Sequence, residues 1–425
     1  MIRKLKSIPN TISVLLGISI PGLILGRSVF AVLFGLAILL MLYDRPFSDI
    51  RRNFKEVWTK PLGILLLVVF AVSLPSLIAS DFPARSAGAL LRTFVFCNLG
   101  VLVWTYLKSN PELGDLWMKS LIVSSAVSIA FALYSQYLSP ELYWVLHLKG
   151  WKSDPLNHNL KGFTAIAVLI IPLFFLSFSR LRPTYRWLAA LSALSLVYLL
   201  WDISNRATIA GLLAVVICAA VTLCVRYGSR LQVLIAAGTA LASLGAVMIW
   251  LRITRDRMIL AAPEGDYFLP VWLIDFERQT IWLNALEIGL RTPWFGRGPN
   301  TINFAAGADK LLEGSGGLRV IPAHPHNWVV ELFAEIGSVG LALLILFLVI
   351  ATLKLLRSYR ISGNPIYVSA IAIFAGYWGS GLFNFSYWSA WWQLSFILVI
   401  ALCLATAQKT TSVDTQPSDG NAAFR

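Results

Sequence analysis

Apolar residues run along this chain in long blocks, without the half-polar stripe of a surface helix or the alternation of a surface strand. Twelve blocks can be marked: Ile12–Leu25, Val29–Tyr43, Leu62–Ile78, Ala87–Leu107, Leu116–Leu138, Phe163–Phe178, Trp187–Trp201, Ala207–Val225, Val233–Leu251, Trp328–Leu353, Ile366–Phe383 and Ser389–Thr406. A helix needs ~20 mostly apolar residues to cross the hydrocarbon of a bilayer, and these blocks approach that length. The first two are short and divide at Pro21-Gly22 and Gly26-Arg27. An even count puts both chain ends on one side.

Composition agrees with the pattern. Of 425 residues, 57% are hydrophobic and 13% charged, against about 25% charged in an ordinary globular domain. Sixteen Trp and a mean hydropathy of +0.72 point the same way. A cytosolic enzyme, a disordered chain and a disulfide scaffold are excluded. The expected fold class is an all-α polytopic membrane protein with about 12 transmembrane helices. Cys97, Cys218, Cys224 and Cys403 sit inside apolar runs without zinc-ligand spacing and read as small core residues. Arg3, Lys4 and Lys6 precede the first block as in a signal peptide, but no small-residue cleavage site follows, so a retained span is expected.

The net charge of +14 would suggest nucleic acid in a soluble chain. Here it reads first as topology, because Lys and Arg mark the cytoplasmic side. Alternate short connections carry 20 Lys and Arg on one side and 7 on the other, with 8 more in the long stretch from Arg252 to Asn327. Both termini are therefore predicted to be cytoplasmic, with the long connection outside. The domain reading is spans one to nine over 1–251, an outer loop over 252–327, spans ten to twelve over 328–407 and a polar, disordered cytoplasmic tail over 408–425. Within the loop, Val271–Leu290 has helical periodicity with Ile274, Ile281, Ala285 and Ile288 on one stripe, Pro293 and Gly296-Arg297-Gly298-Pro299 end it, and Leu312–Gly317 reads as mobile.

Ionisable residues in or beside spans are functional hypotheses by default. Arg206 opens the eighth block on the outer side, where it either snorkels to water or holds an anion. Arg278 lies in the outer helix just after Asp275 and Glu277, as a surface ion pair or an anion ligand. Arg85 and Arg92 are seven apart on one helix face, and Lys161 ends the Asn157–Lys161 loop. Together these cations predict a basic outer vestibule suited to a phosphorylated ligand. All four histidines fall outside: His147, His158, His324 and His326. His324-Pro325-His326 lacks a third metal ligand at useful spacing, so a general base is the better reading. Asn327 reads as a helix cap or an orienting group, and Glu331 and Glu335 follow it on one face, pointing into the bundle. Gly296-Arg297-Gly298 has no third glycine and no preceding strand, so it is not a dinucleotide loop.

His326-Asn327, nine residues, then Gly337-Ser338-Val339-Gly340 resembles the H-N-x9-G-x-x-G signature of bacterial O-antigen ligases, in the O-antigen ligase and polymerase superfamily. Arg206 and Arg278-x-x-x-Trp282, with Gly296-x-Gly298 after Pro293, are similar to the family's two essential arginine sites. Residue-level matching is confined to roughly Ser204–Gly340. The resemblance implies a GT-C-like, inverting, metal-independent glycosyltransferase of the bacterial inner membrane, without cofactor, acting on the periplasmic face. The implied donor is O-antigen polysaccharide on undecaprenyl pyrophosphate, and the acceptor a sugar hydroxyl of lipid A–core. Membrane lipids surround it, and nucleic acid is not a partner. It further implies His326 as base, with His324 the alternative, and Arg206 and Arg278 as the pyrophosphate clamp. Arg85, Arg92, Lys161, His324, Asn327 and Glu331 are the candidate substrate-binding or orienting groups. The rivals are an O-antigen polymerase or another transferase of the superfamily, and, from a different class, a secondary transporter. The absence of two matching halves disfavours the last.

Overall fold

The computed structural model describes residues 7–148, 156–227, 229–254, 267–311, 317 and 319–407. Arg3, Lys4 and Lys6, the segment 312–316 and the tail 408–425 lie outside the described residues. The chain runs α1 (Ser7–Ser19), α2 (Arg27–Asp44), α3 (Phe47–Trp58), α4 (Pro61–Val72), α5 (Pro75–Ile78), α6 (Pro83–Lys108), α7 (Gly114–Tyr137), α8 (Pro140–Leu146) and α9 (Asn157–Ala165). It continues with α10 (Ala167–Arg180), α11 (Pro183–Asp202), α12 (Arg206–Tyr227), α13 (Arg230–Thr254), α14 (Phe276–Leu290), α15 (Trp328–Ser362), α16 (Pro365–Gly381) and α17 (Ala390–Ala405). Among the described residues there is no strand, only one isolated bridge between Leu311 and Arg319.

Each of the twelve apolar blocks lies on helix, the first with a 3-10 turn over Pro21–Leu25. Among the described residues, seven helices are long and apolar enough to cross a membrane, or eight if α9 and α10, bent by 47°, form one span. The other four blocks fall short for local reasons. Helix α1 has 13 residues and stops before Pro21. Helices α17 and α16 have 16 and 17 residues. Helix α11 has 20, but Arg186, Tyr198 and Asp202 interrupt its apolar run. Polytopic and all-helical therefore stands, with seven or eight spans by length and apolarity where the pattern predicts twelve.

Helix α10 is central, with Ala167 to Ile170 and Leu173 fully buried. Helices α12 and α16 pack against it and each other through glycine. A Cβ on Gly211 of α12 would come within 2.7 Å of Ser380 Cβ, 2.8 Å of Val168 Cγ1 and 2.9 Å of the Gly376 carbonyl. Small residues let membrane helices approach closely where burial in lipid gives no hydrophobic drive. This contact sets the start of α12, which carries Arg206, beside the C-terminal end of α16.

Helix α15 is not the continuous rod its apolar run predicts. Gly337 breaks it with φ 72° and ψ 178°, a conformation essentially confined to glycine. The break frees backbone groups that a helix would pair internally, and the loop before α15 takes them up. Ser338 and Val339 donate to the carbonyls of Pro293 and Trp294 at 2.8 and 3.2 Å. Arg297 and Gly298 donate to those of Ala334 and Glu335 at 3.1 and 2.9 Å. Gly296 and Gly298 also have positive φ, and a Cβ on Gly296 would overlap the Glu335 backbone. Gly296-Arg297-Gly298 is thus the strap that closes onto the broken helix. The predicted outer helix begins at Phe276, later than Val271, but its stripe holds: Ile274, Ile281, Ala285 and Ile288 are buried with Ile302, Ile321, Val330 and Ala334.

Buried beneath the strap, Glu335 has no exposed surface. Its carboxylate accepts from the amides of Asn300 (2.7 Å), Thr301 (2.8 Å) and Ile302 (2.9 Å) and from the Trp388 indole. Gly337→Ala is expected to destabilise the protein by about 2 kcal/mol or more, since a Cβ is strained at this φ and meets the Trp294 carbonyl. Gly340→Ala should cost less, because the Cβ would meet only the Ile336 side chain. Thermal unfolding in detergent, followed by size-exclusion fluorescence, checks the ranking. Equal midpoints for the two variants would show that the break at Gly337 is not required.

Candidate functional site

Arg206 is placed by the turn that starts α12. Ser204 has φ 53° and Asn205 caps the helix, its side-chain oxygen 3.4 Å from the Thr208 amide. The Asn205 amide nitrogen donates to the Lys161 carbonyl (3.1 Å) and the Thr164 hydroxyl (3.0 Å), tying α12 to α9. Arg206 Nη1 lies 3.8 Å from Asp275 Oδ1, and Asp275 is the residue before α14, which carries Arg278. Lys161 lies within Coulombic reach of both Arg206 and Arg278. Three cations from α9, α12 and α14 therefore share one region.

Arg278 is the least compensated of them. Among the described residues its guanidinium makes no hydrogen bond or ion pair. Burial above all, and then Arg206 beside it, lower its pKa, while Glu277 opposes the shift. A guanidinium removed from water without a partner is costly, so the site favours an anion.

The histidines face the same cation. Trp282, one turn after Arg278 on α14, donates its indole N–H to the Pro325 carbonyl at 2.9 Å and so pins the His324-Pro325-His326 turn. The imidazoles stand 4.1 Å apart at 52°. Both point at one main-chain carbonyl: His326 Nδ1 donates to Asn384 O at 3.1 Å and His324 Nε2 at 3.3 Å. A carbonyl can only accept, so the proton sits on Nδ1 of His326 and Nε2 of His324. The remaining nitrogens, His326 Nε2 and His324 Nδ1, carry lone pairs. Burial first, then His324 and Arg278, push the His326 pKa down to about 3. Burial, with Arg278 adding, pushes His324 down to about 4. Both rings are neutral at pH 7. His326 also has φ 58°, uncommon for a residue with a side chain and concentrated at functional sites.

Other sequence candidates have different places. Asn327 is the N-cap of α15, its side chain accepting from Val329 (3.0 Å) and Val330 (3.4 Å). Glu331 is 1% exposed and is occupied by the Ser386 hydroxyl and the Tyr387 amide, the latter at 2.7 Å. Arg85 Nε donates to Asn300 O at 2.6 Å and its guanidinium lies 4.7 Å from the Phe304 ring centre. Arg92 Nη2 donates to Trp388 O at 2.7 Å. The single basic vestibule expected from the sequence thus resolves into two groups. Lys161, Arg206 and Arg278 share a region with the histidines, while Arg85 and Arg92 brace the loops that Glu335 joins. The carbonyl of Asn384 was not anticipated, since a backbone acceptor leaves no trace in residue type.

The sequence profile of the O-antigen ligase family matches residues 158–345. That interval includes Lys161, Arg206, Arg278, both histidines and the Gly337 break, while Arg85, Arg92 and the 384–388 loop lie outside it. Among curated relatives, a protein of Rickettsia typhi described as a candidate polysaccharide ligase is 34% identical over 85 residues, 20% of this chain and 20% of its own. One of the same description from Rickettsia bellii is 35% identical over 82 residues, 19% of each chain. The match spans about a fifth of the length of these relatives. The segment that builds the site is thus the part of the chain that is similar to the O-antigen ligase family.

Proposed function

We propose that this multi-pass membrane protein is an O-antigen ligase, an inverting and metal-independent glycosyltransferase. It moves a polysaccharide from undecaprenyl pyrophosphate to a sugar hydroxyl of lipid A–core on the periplasmic face of the inner membrane. The observation that carries the reading is the uncompensated Arg278, grouped with Arg206 and Lys161 beside a pair of neutral imidazoles. Such a site suits an anionic leaving group and a proton acceptor. The charge split over the short connections supports the periplasmic orientation.

In this reading the acceptor hydroxyl attacks the anomeric carbon as His326 Nε2 takes its proton. The new glycosidic bond forms on the face opposite the breaking bond to pyrophosphate, so the anomeric configuration inverts. The electron pair leaves with the pyrophosphate oxygen, where Arg206, Arg278 and Lys161 stabilise the charge. An arginine fork binds phosphate oxygens in pairs and keeps its charge when partly buried.

Loss of the chain in its native host tests the reading against its rival. A ligase loss should leave bare lipid A–core with polymer held on the lipid carrier. Core capped by a single unit would instead identify a polymerase, and an unchanged lipopolysaccharide ladder would overturn both.

The arginines make a separate prediction. Arg206→Lys and Arg278→Lys keep the charge and lose the fork, and removing one preorganised donor typically costs about 10²–10³-fold in turnover. Transfer by the purified protein should fall by that order in each variant and persist in EDTA in the parent. Activity abolished by EDTA and restored by Mg²⁺, with lipid A aggregation controlled, would refute the arginine clamp.

His326→Ala should lose about 10²–10⁴-fold, and His324→Ala less. The pH profile follows from the downward shift. An imidazole with its pKa near 3 stays neutral as pH falls through 6.5, so kcat/KM for the donor should show no histidine limb between pH 5 and 7.5. A fall centred near 6.5 would mean that the base titrates normally and is not this buried ring.

A further inference from the structure

Glu331 is buried in the outer end of α15, yet it touches neither histidine and faces none of the three cations of the proposed clamp. Its two oxygens are taken by consecutive residues of one loop: Ser386 donates its hydroxyl to Oε1 and Tyr387 its amide to Oε2, the latter at 2.7 Å. Two residues earlier in that loop stands Asn384, whose carbonyl accepts from both imidazoles. The loop is held at its other points too. The Trp388 amide donates to Ser386 Oγ at 3.1 Å, the Trp388 indole binds Glu335, Arg92 binds the Trp388 carbonyl at 2.7 Å, and Asn384 Nδ2 lies 3.3 Å from Ser380 Oγ.

We propose that Glu331 is a positioning residue: by fixing Ser386 and Tyr387 it holds the Asn384 carbonyl where His326 must present its Nδ1 proton, so that Nε2 is kept as the proton-accepting nitrogen. A neutral imidazole has two tautomers, and the acceptor facing one nitrogen selects between them. If the carbonyl moves away, His326 loses the partner that chooses Nδ1–H, and a fraction of the protein carries its proton on the nitrogen that has to be empty. The role of Nε2 in catalysis rests on the ligase reading, whereas the tautomer and its dependence on Glu331 do not. The shared carbonyl also explains why two histidines flank one proline. His324 uses the same acceptor through its opposite nitrogen, so the two rings brace each other across it.

The chain has only four histidines, so side-chain ¹⁵N spectra of histidine-labelled protein in detergent can be assigned by single substitutions. Expected for the parent is His326 protonated at Nδ1 and His324 at Nε2. Glu331→Gln keeps the shape but sets an amide against the Tyr387 N–H or the Ser386 hydroxyl. It should give mixed tautomers at His326 and a fall in kcat of about tenfold or more, the scale seen when groups that orient a functional histidine are removed. KM for donor and acceptor should stay near the parent values. Ser386→Ala removes one of the two holds and should lie between, guarding against a Glu331 variant that does not fold. A parent His326 protonated at Nε2 would overturn the proposal, as would Glu331→Gln with an unchanged His326 spectrum. If the spectra behave as expected while the parent protein transfers no polysaccharide to lipid A–core, the ligase reading fails and the positioning stands.

Discussion

One buried carboxylate joins three separate parts of this chain at a single point. Glu335 lies inside a membrane helix, yet its partners come from two other parts of the chain, the amides of residues 300–302 and the indole of Trp388. Four donors on two oxygens satisfy it fully, which a polar group removed from water and lipid requires. Losing the carboxylate would leave those donors unpaired, each at a cost of about 1–3 kcal/mol when buried. The geometry also explains the break two residues later. An unbroken helix would leave no backbone acceptors for Arg297 and Gly298 and no donors for Pro293 and Trp294. The break at Gly337 and the grip of Glu335 are parts of one joint, and the loop carrying Arg278 is set against α15 by it.

The polar groups near the site divide by what they touch. Asn327, Glu331, Glu335, Arg85 and Arg92 all bind backbone or side chains of neighbouring loops, and their hydrogen-bonding capacity goes into architecture. The side-chain cations of Lys161 and Arg278 bind no described residue, and Arg206 has one distant carboxylate at 3.8 Å. A protein that satisfies its buried acids so thoroughly leaves these cations uncompensated, and that contrast separates the anion site from its scaffold more sharply than position along the chain does.

Much of this was legible in the sequence, and the gaps have physical causes. The apolar blocks gave the helices correctly, because burial in lipid demands apolar length and little else. They did not give the length of each helix, and four of the twelve blocks form helices too short or too polar to pass as spans on length and apolarity; nor does a run of hydrophobic residues show the bend at Ile166 or the break at Gly337. The His-Asn pair with its two later glycines reads as a site signature, and the structure gives part of its spacing a cause: Asn327 caps the helix and Gly337 breaks it. Gly296-Arg297-Gly298 reads as no nucleotide loop for want of a third glycine and a strand, and its use as a strap depends on residues 37 positions away. Arg85 and Arg92 hold carbonyls in the structure, and in a sequence a cation on a helix face looks the same whether it holds a carbonyl or awaits a ligand. Asn384 was invisible in principle, as any residue supplies that oxygen.

A base with its pKa near 3 looks poorly suited to deprotonating a hydroxyl, and the resolution lies in what depresses it. Part of the shift comes from burial, but part comes from Arg278 and the neighbouring imidazole, and the Arg278 share depends on what the site contains. In the proposed reaction a pyrophosphate bound by Arg278 would offset that charge and restore basicity to His326. Linkage makes the effect mutual: an anion that raises the proton affinity of the ring is itself held more tightly once the ring is protonated. The proton taken from the acceptor would then sit beside the leaving group as its negative charge grows, stabilising the products of bond cleavage. Before the donor arrives, burial above all, with His324 and the same arginine adding, keeps the imidazole unprotonated. The cation that receives the leaving group would thus also hold the base in its usable form, with no further residue needed to couple the two.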